Sequence, residues 1–333
     1  MGLDQGREWQ AGMASTLTVE TRRRIDSQRI QDAAFRGATQ VFAAGVLVLL
    51  GAVLVSLAMG AAPAFAKFGW RFLIGQAWNP VTENFGPLPA NYGTLITSLI
   101  AMLIAIPLGF GIAVFLTELC PPPLRRPIGT LIELLAAIPS IIYGIWGFFV
   151  LAPIMADYVQ PALIGSLGQL PIVGALFSGA PFGLGVLTAG LILAIMVLPF
   201  IASVTRDVFL TVPPMLRESA YGVGATTAEV VRHIVLPYTR TGVIGGIMLG
   251  LGRALGETMA VTFVVGNANR LSPSLLAPGT TISATLANQF AEAKGDMYVA
   301  SLFALGLILF VITFVVLAAA KLMLLRLEHR AAK

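Results

Sequence analysis

The sequence is poor in charged residues. Asp, Glu, Lys and Arg together make up 11% of its 333 residues, whereas a typical soluble domain has about 25%. Apolar residues make up 57% of the chain. A chain with so few charges cannot cover a water-facing surface, so the composition excludes an ordinary soluble domain and indicates a membrane protein.

Cysteine, histidine and lysine are also scarce. The single cysteine, Cys120, excludes an intramolecular disulfide and zinc sites built from four cysteines or from two cysteines and two histidines. The two histidines, His233 and His329, lie in polar segments and are interpreted as surface residues. A phosphate-cradling ATPase loop needs a Gly-Lys-Ser/Thr sequence. None of the four lysines follows a glycine, so the chain lacks that nucleotide-binding loop.

Long apolar runs, in contrast, are abundant. A membrane-spanning helix needs about 20 mostly apolar residues. Six segments meet that length, at about 37–60, 94–117, 130–155, 182–204, 243–266 and 298–322. The sequence therefore predicts an all-α polytopic membrane protein with six transmembrane helices. The first segment is too long for the apolar core of a signal peptide and is interpreted as a retained anchor. The apolar stretch 156–181 is expected to lie in the membrane interface or to dip back into the membrane.

Lys and Arg residues concentrate on one side of these segments. The tail 1–36, the loops 118–129 and 205–242, and the C-terminal end hold 16 of them, against four on the opposite side. The positive-inside rule then predicts that both termini lie in the cytoplasm.

The longest internal cytoplasmic loop, 205–242, predicts a short amphipathic helix, a glycine turn, a second helix and a proline stop. Thr226 is the expected N-cap of the second helix, with Glu229 completing a capping box. From the residues alone, the loop is either an ordinary interfacial helical hairpin or a docking element.

Two charges fall inside the fifth apolar segment. Arg253 would lie about 15 Å from its cytoplasmic end, near the middle of the bilayer. Glu257 would follow one turn later on the same helix face. A charge at that depth costs at least about 2.5–3.5 kcal/mol, so it needs a partner or a water-filled path.

Two interpretations of this pair remain open. The two charges neutralise each other and lock helix packing, or they line a pathway for an anion. We favour the pathway, because an i,i+4 pair with arginine first has the weaker orientation for a salt bridge. Arginine also offers five donors in a fork that suits phosphate oxygens. Gly242, Gly246 and Gly250, at four-residue steps, are interpreted as packing positions.

The remaining polar candidates are weaker. Glu133 is interpreted as an interfacial or capping residue, with a gate contact as the alternative. Glu118 has the plainer interpretation of closing the second segment. Tyr143 and Trp146 line a pore or pack against neighbours.

The loop resembles the coupling motif of type I ABC import permeases. The motif is an acid-small-Ala cluster, a glycine four residues beyond the alanine, nine residues, then Ile-x-Leu-Pro. The matching residues are Glu218, Ala220, Gly224, Ile234, Leu236 and Pro237. Ser219 stands where many members have alanine. The resemblance implies that the loop sits in a cleft of an ATPase subunit and transmits its closure, with Glu218 making a polar contact and Gly224 providing the turn.

Other segments resemble PstC-type permeases of the phosphate-specific transporter. They are residues 92–98, 133–141, 171–179 and 242–261, and the similarity runs from about residue 36 to residue 328. The resemblance implies a type I ABC importer permease fold in the bacterial inner membrane. It also implies that phosphate passes Arg253 and Glu257 by alternating access.

The same resemblance divides the chain into three parts. They are a cytoplasmic N-terminal tail (1–35), a first transmembrane helix with its periplasmic loop (36–90), and the permease domain (91–325) with the coupling loop 205–242. The implied partners are a homologous PstA-type permease, a dimeric PstB-type ATPase and a periplasmic PstS-type phosphate-binding protein. ATP and Mg would be used by the ATPase, while this chain would bind no cofactor and no nucleic acid and would not be an enzyme.

Three alternatives stand beside this interpretation. The first is an ABC permease for another oxyanion, such as sulfate or molybdate. The second is a proton-coupled secondary transporter with Glu257 as the proton carrier. The third is an intramembrane enzyme, against which the sequence has no metal-ligand cluster and no Ser/His or Cys/His constellation near an apolar segment.

Overall fold

The computed structural model describes residues 3–171 and 173–331, without the side chains of 3–30, 323–324 and 326–331. Several sequence predictions concern side chains outside the described residues. They include the arginines of the tail up to residue 29, the surface position of His329, and Ile172 in the 171–179 motif.

The chain forms two units, residues 1–57 and 58–333. The first unit contains most of the first helix, and none of its described side chains is buried. The second unit contains the remaining elements and the hydrophobic core. The helices in chain order are α1 (Leu3–Phe68), α2 (Arg71–Ile74), α3 (Leu88–Val114), α4 (Pro122–Ala136), α5 (Ser140–Trp146), α6 (Ala152–Ile154), α7 (Gln160–Ser166), α8 (Val186–Leu210), α9 (Pro214–Gly222), α10 (Thr227–Val230), α11 (Leu236–Gly256), α12 (Met259–Val264), α13 (Ile282–Gln289) and α14 (Asp296–Ala331).

The described residues include a single small sheet. Strands β1 (Trp78–Asn79) and β2 (Asn84–Phe85) pair antiparallel, with Trp78 opposite Phe85. The rings of those two residues meet edge to face at 5.1 Å. Apart from this hairpin the described elements are helical, as the apolar runs predict.

Six helical stretches in the described part of the chain are long and apolar enough to cross a membrane. They are Gln31–Phe68, Leu88–Leu119, Ser140–Ser166, Val186–Leu210, Thr227–Gly256 and Asp296–Leu322. The predicted number of spans is confirmed, but the predicted bounds of the third and fifth spans are wrong at both ends. The third stretch begins at Ser140, ten residues later than expected, and it takes in part of the predicted loop 156–181. The fifth runs from Thr227 to Gly256 and not from about 243 to 266.

Prolines explain the extent of the third stretch and the early start of the fifth, but not the end of the fifth, because no proline lies near Gly256. Four π-helical turns interrupt the α-helices, at Phe115–Leu119, Gly147–Leu151, Met155–Val159 and Val231–Val235. Each ends two residues before a proline. A proline lacks an N–H, and its ring clashes with the carbonyl four residues earlier. The wider turn displaces that carbonyl, so the helix passes through Pro153, Pro161 and Pro237. Before Pro121 the helix ends, because Cys120 has an extended backbone.

The central core lies between α3, α8, α11, α12 and α13. Its fully buried residues include Ala101, Ile192, Val197 and Ala260. Small residues let the helices approach closely. Gly242, Gly246 and Gly250 of α11 pack against Val208, Val204 and Ile201 of α8, respectively, which agrees with their interpretation as packing positions.

Candidate functional site

Arg253 lies in the last turn of α11. The next residue, Ala254, is buried in the central core, which also holds Ala101 from the middle of α3. The side chain of Arg253 is nevertheless exposed on the surface of this chain. It makes no hydrogen bond or ion pair with any residue that the structure describes. An arginine that is level with the core and unpaired within the described part of its chain is available to an external anion.

Glu257 does not continue the same helix. The helix ends at Gly256, and Glu257 has an extended backbone with φ −68° and ψ 130°. Its carboxylate accepts a hydrogen bond from the backbone N–H of Ala260 at 3.1 Å, so it caps the start of α12. The prediction of one helix face carrying both charges is therefore wrong, because the chain breaks between them.

This break also decides what the two charges do to each other. No ion pair within 4.0 Å joins Arg253 and Glu257 in the described structure. Arg253 interacts electrostatically with Tyr143. Tyr143 itself packs against the central core and donates a hydrogen bond to the carbonyl of Leu135 at 2.8 Å. This geometry therefore does not support the first interpretation, in which the two charges neutralise each other.

The segment 214–237, which contains the residues that resemble the coupling motif, is called the coupling segment below. The turn at its centre has a local physical explanation. Gly224 has a φ of +90°, in the left-handed region that favours glycine. Its N–H bonds to the carbonyl of Tyr221 at 3.0 Å, and the N–H of Ala225 bonds to the carbonyl of Ala220 at 3.1 Å. This pair of bonds is a Schellman motif that ends α9, and Ala220 and Ala225 pack against the same cluster, as the motif requires.

The second half of the segment differs from its prediction. The capping box is confirmed: Thr226 accepts from the N–H of Glu229, and the Glu229 carboxylate accepts from the N–H of Thr226. The proline stop is wrong. Pro237 lies in the first turn of α11, after a π-helical turn in which the N–H of Leu236 bonds to the carbonyl of Val231. One continuous helical stretch therefore leads from the coupling segment to Arg253.

Apolar packing fixes this segment to the ends of two spans. The core cluster around it contains Ala113 of α3, Phe209 of α8 and Val235, all fully buried, with Ile234 packed against them. Side chains on the other face of α9 stay open: Glu218 is exposed and Met215 is 74% exposed. Val223, just beyond the end of the helix, is 86% exposed. A helix anchored on one face and exposed on the other is suited to receive a partner.

One ion pair of this region was missed by sequence reasoning. Arg217 of α9 meets the carboxylate of Glu118, with the guanidinium Nε 3.3 Å from Oε1. The side chain of Glu118 is only 4% exposed and that of Arg217 is 17% exposed. Arg217 also donates to the carbonyl of Phe209 at 2.7 Å. These contacts tie α9 to the ends of the second and fourth spans. The two residues are far apart in sequence, and the only available signal was an acid at the end of an apolar run.

Two further residues named in the sequence analysis lie outside this contact. His233 is exposed, which confirms its interpretation as a surface residue. Glu133 is half exposed on α4 and pairs with Arg206.

Comparison with known proteins supports one family. Residues 105–329 match the model of the family described as binding-protein-dependent transport system inner membrane component. The phosphate transport system permease protein PstC of Mesorhizobium japonicum is 62% identical over 301 residues, which cover 90% of this chain and 92% of that protein. The protein of the same name from Pasteurella multocida is 57% identical, over 89% of this chain and 92% of that protein.

A solved structure agrees with the fold. A chain of a bacterial alginate ABC transporter, crystallised in complex with an alginate pentasaccharide-bound periplasmic protein, has a TM-score of 0.55 at 19% identity. The match covers 86% of this chain and 94% of that one. The fold is accordingly that of a type I ABC importer permease. On its sequence matches and its architecture, the chain belongs to the binding-protein-dependent transport system inner membrane component family, as a permease of the PstC type.

Proposed function

We propose that this chain is the permease subunit of an ABC importer that carries inorganic phosphate across the inner membrane by alternating access, driven by a separate ATPase subunit. One observation supports the pathway most directly. Arg253 is an exposed arginine at the level of the central core, without a partner in the described part of its own chain. Relatives named for phosphate transport support the choice of substrate.

In this proposal Arg253 is the residue that meets phosphate. Its guanidinium offers donors in a planar fork that matches two phosphate oxygens. Because no carboxylate of the described chain occupies that fork, phosphate binds without first displacing an internal partner. The affinity should be modest, since an anion held too tightly would not leave.

Glu257 has a different role. Its carboxylate holds the first turn of α12 and thereby keeps the break between Gly256 and Met259 in shape. The break directs the chain away from the axis of α11, and this places Arg253 at the end of a helix. We expect Glu257 to position the pathway more than to bind the anion.

In the proposal, the conformational change driven by ATP hydrolysis reaches this chain through the segment 214–237. In the proposal, α9 docks in the ATPase subunit through its open face, where Glu218 is exposed. Movement of α9 passes to the second span through Arg217 and Glu118, and to α11 through the continuous helical stretch that begins at Thr227. The predicted coupling residues therefore have different structural roles. Ala220 and Gly224 shape the turn. Ile234, Leu236 and Pro237 join that turn to α11.

The proposal includes the rest of the assembly. The partners are a PstA-type permease, a dimeric PstB-type ATPase and a periplasmic PstS-type binding protein, and both termini of this chain lie in the cytoplasm. ATP and Mg are used by the ATPase subunit, and this chain is a transport subunit with no catalytic role.

The test is uptake of labelled phosphate by cells that depend on this chain. Arg253→Gln should abolish uptake, and Glu257→Gln should reduce it less severely because it removes a capping charge and not the donor fork. Arg36→Gln, an exposed arginine outside both the pathway and the coupling segment, is the matched control and should transport normally. Membrane insertion is verified for each variant. Wild-type uptake in Arg253→Gln would remove the translocation role, and uptake that survives deletion of the ATPase gene would support a secondary transporter.

A further inference from the structure

A second cluster of arginines lies away from the proposed pathway. A cavity of about 360 Å³ is bounded by α4 and by the ends of the second and fourth spans. Its charged lining consists of three arginines, Arg125, Arg126 and Arg206, and one carboxylate, that of Glu133. By the charge count, this end of the molecule faces the cytoplasm.

Arg206 forms the fixed floor of this arginine cavity. Its guanidinium donates to Glu133 and to Asp207, the latter at 2.7 Å from Nη2. The guanidinium also fits against Gly129, where an added Cβ would lie 2.3 Å from Nη1. Any side chain larger than glycine at residue 129 would displace Arg206. The pair of Arg206 and Glu133 holds α4 against α8, and it leaves little positive charge on Arg206 for a ligand.

Arg125 and Arg126 supply the unsatisfied donors. Arg125 uses only its Nε, which donates to the carbonyl of Cys120 at 2.8 Å. Arg126 makes no hydrogen bond or ion pair with any described residue, and the hydroxyl of Thr130 likewise has no partner among them. Two guanidinium groups and a hydroxyl therefore line one cavity with most of their donors free.

The surroundings place this cavity at the membrane surface. On α4, Leu131 is 60% exposed and Leu134 is 59% exposed, and the same short helix carries Arg125 and Arg126. A helix with exposed leucines and arginines lies in the interface between lipid tails and water. Basic pockets at the cytoplasmic ends of transmembrane helices suit the phosphate of an anionic headgroup.

We propose that this cavity binds a phosphate group through Arg125, Arg126 and Thr130. Two sources share that chemistry: the headgroup of an anionic phospholipid such as phosphatidylglycerol, and free inorganic phosphate from the cytoplasm. The site is distinct from Arg253, so it does not depend on the transport proposal. A ligand bound there joins α4 to the ends of the second and fourth spans, next to the contact of Glu118 with Arg217.

The test measures binding to the purified full chain carrying Arg253→Gln, so that the proposed pathway does not contribute. One arm measures retention of phosphatidylglycerol, compared with phosphatidylcholine, by native mass spectrometry. The other measures binding of radiolabelled orthophosphate. Arg126→Gln is the key variant, because Arg126 has no contact in the described chain whose loss would disturb folding. Arg36→Gln removes one exposed arginine elsewhere and is the matched control.

Each outcome separates the possibilities. Charge-assisted hydrogen bonds contribute about 1.5–3 kcal/mol, so Arg126→Gln should weaken binding about tenfold or more. Loss confined to phosphatidylglycerol identifies the lipid as the source, and loss confined to orthophosphate identifies the free anion. Binding of both ligands at the level of the Arg36→Gln control would overturn the proposal.

Discussion

The buried contact between Glu118 and Arg217 allows a quantitative prediction. Replacing Arg217 with methionine keeps most of the side-chain volume but leaves the Glu118 carboxylate, 4% exposed, without its cationic partner. Removing one partner of a buried ion pair typically costs about 3–5 kcal/mol. We expect Arg217→Met to weaken the junction between α9 and the second span by an amount in that range.

The chain provides its own probe for this junction. Cys120 is its single cysteine, is 1% exposed, and lies two residues beyond Glu118. Labelling of a buried thiol by a maleimide follows the population of the open state when closing is fast. Since about 1.4 kcal/mol corresponds to a tenfold change in an equilibrium, a cost of about 3 kcal/mol should accelerate labelling about a hundredfold.

Two further variants make this prediction specific. Glu118→Gln combined with Arg217→Met removes both charges, so it should recover at least tenfold of the lost protection. Arg232→Met, an exposed arginine without a described partner, should label at the wild-type rate. If Arg217→Met also labels at the wild-type rate, the ion pair does not hold α9 to the span, and the mechanical link is refuted.

Two glycine substitutions test the remaining parts of the fold. Gly250→Leu should destabilise the chain by about 1–3 kcal/mol in thermal unfolding, because even a Cβ would lie 2.8 Å from the Cγ1 of Ile201. Gly256→Ala, with nothing within 4 Å of an added Cβ, is its control and should not be destabilised. Gly224→Ala should cost about 1–2 kcal/mol from backbone strain alone, since φ is +90° and the space is open. Unchanged stability of Gly224→Ala, measured in the same way, would contradict the Schellman geometry.

Much of the fold follows from local sequence signals. The six spans could be predicted because long apolar runs have few other uses in a chain with this little charge. The capping box at Thr226 and Glu229 could be predicted because both partners are three residues apart. The turn at Gly224 could be predicted in kind, although the Schellman bonds that explain Ala220 appear only in the structure.

The span boundaries could not be predicted, for a physical reason. By the usual sequence rule Pro237 would end a helix, and the predicted stop relied on that rule. The π-helical turn before Pro237 makes room for its ring and keeps the helix continuous. The same happens before Pro161, in a stretch whose apolar composition alone had suggested a loop at the membrane.

Arg253 and Glu257 stay site residues predicted from the sequence, and their geometry differs from the prediction. Helical periodicity placed Arg253 and Glu257 on one face, because nothing between them breaks a helix except Gly256. The hydrogen bond from the N–H of Ala260 to the Glu257 carboxylate shows that Glu257 belongs to the start of α12 and not to α11. The sequence did not indicate where α12 begins. The contact of Glu118 with Arg217 depends on tertiary packing of three elements, which no local pattern records.

The claim that an anion passes Arg253 is tested most directly in vesicles that contain the complete transporter and its binding protein. The measurement is phosphate transported per ATP hydrolysed. Arg253→Gln should hydrolyse ATP in response to the loaded binding protein, because the coupling segment is intact, while moving almost no phosphate. Arg36→Gln should keep the wild-type ratio. A wild-type ratio of phosphate to ATP in Arg253→Gln would contradict the account.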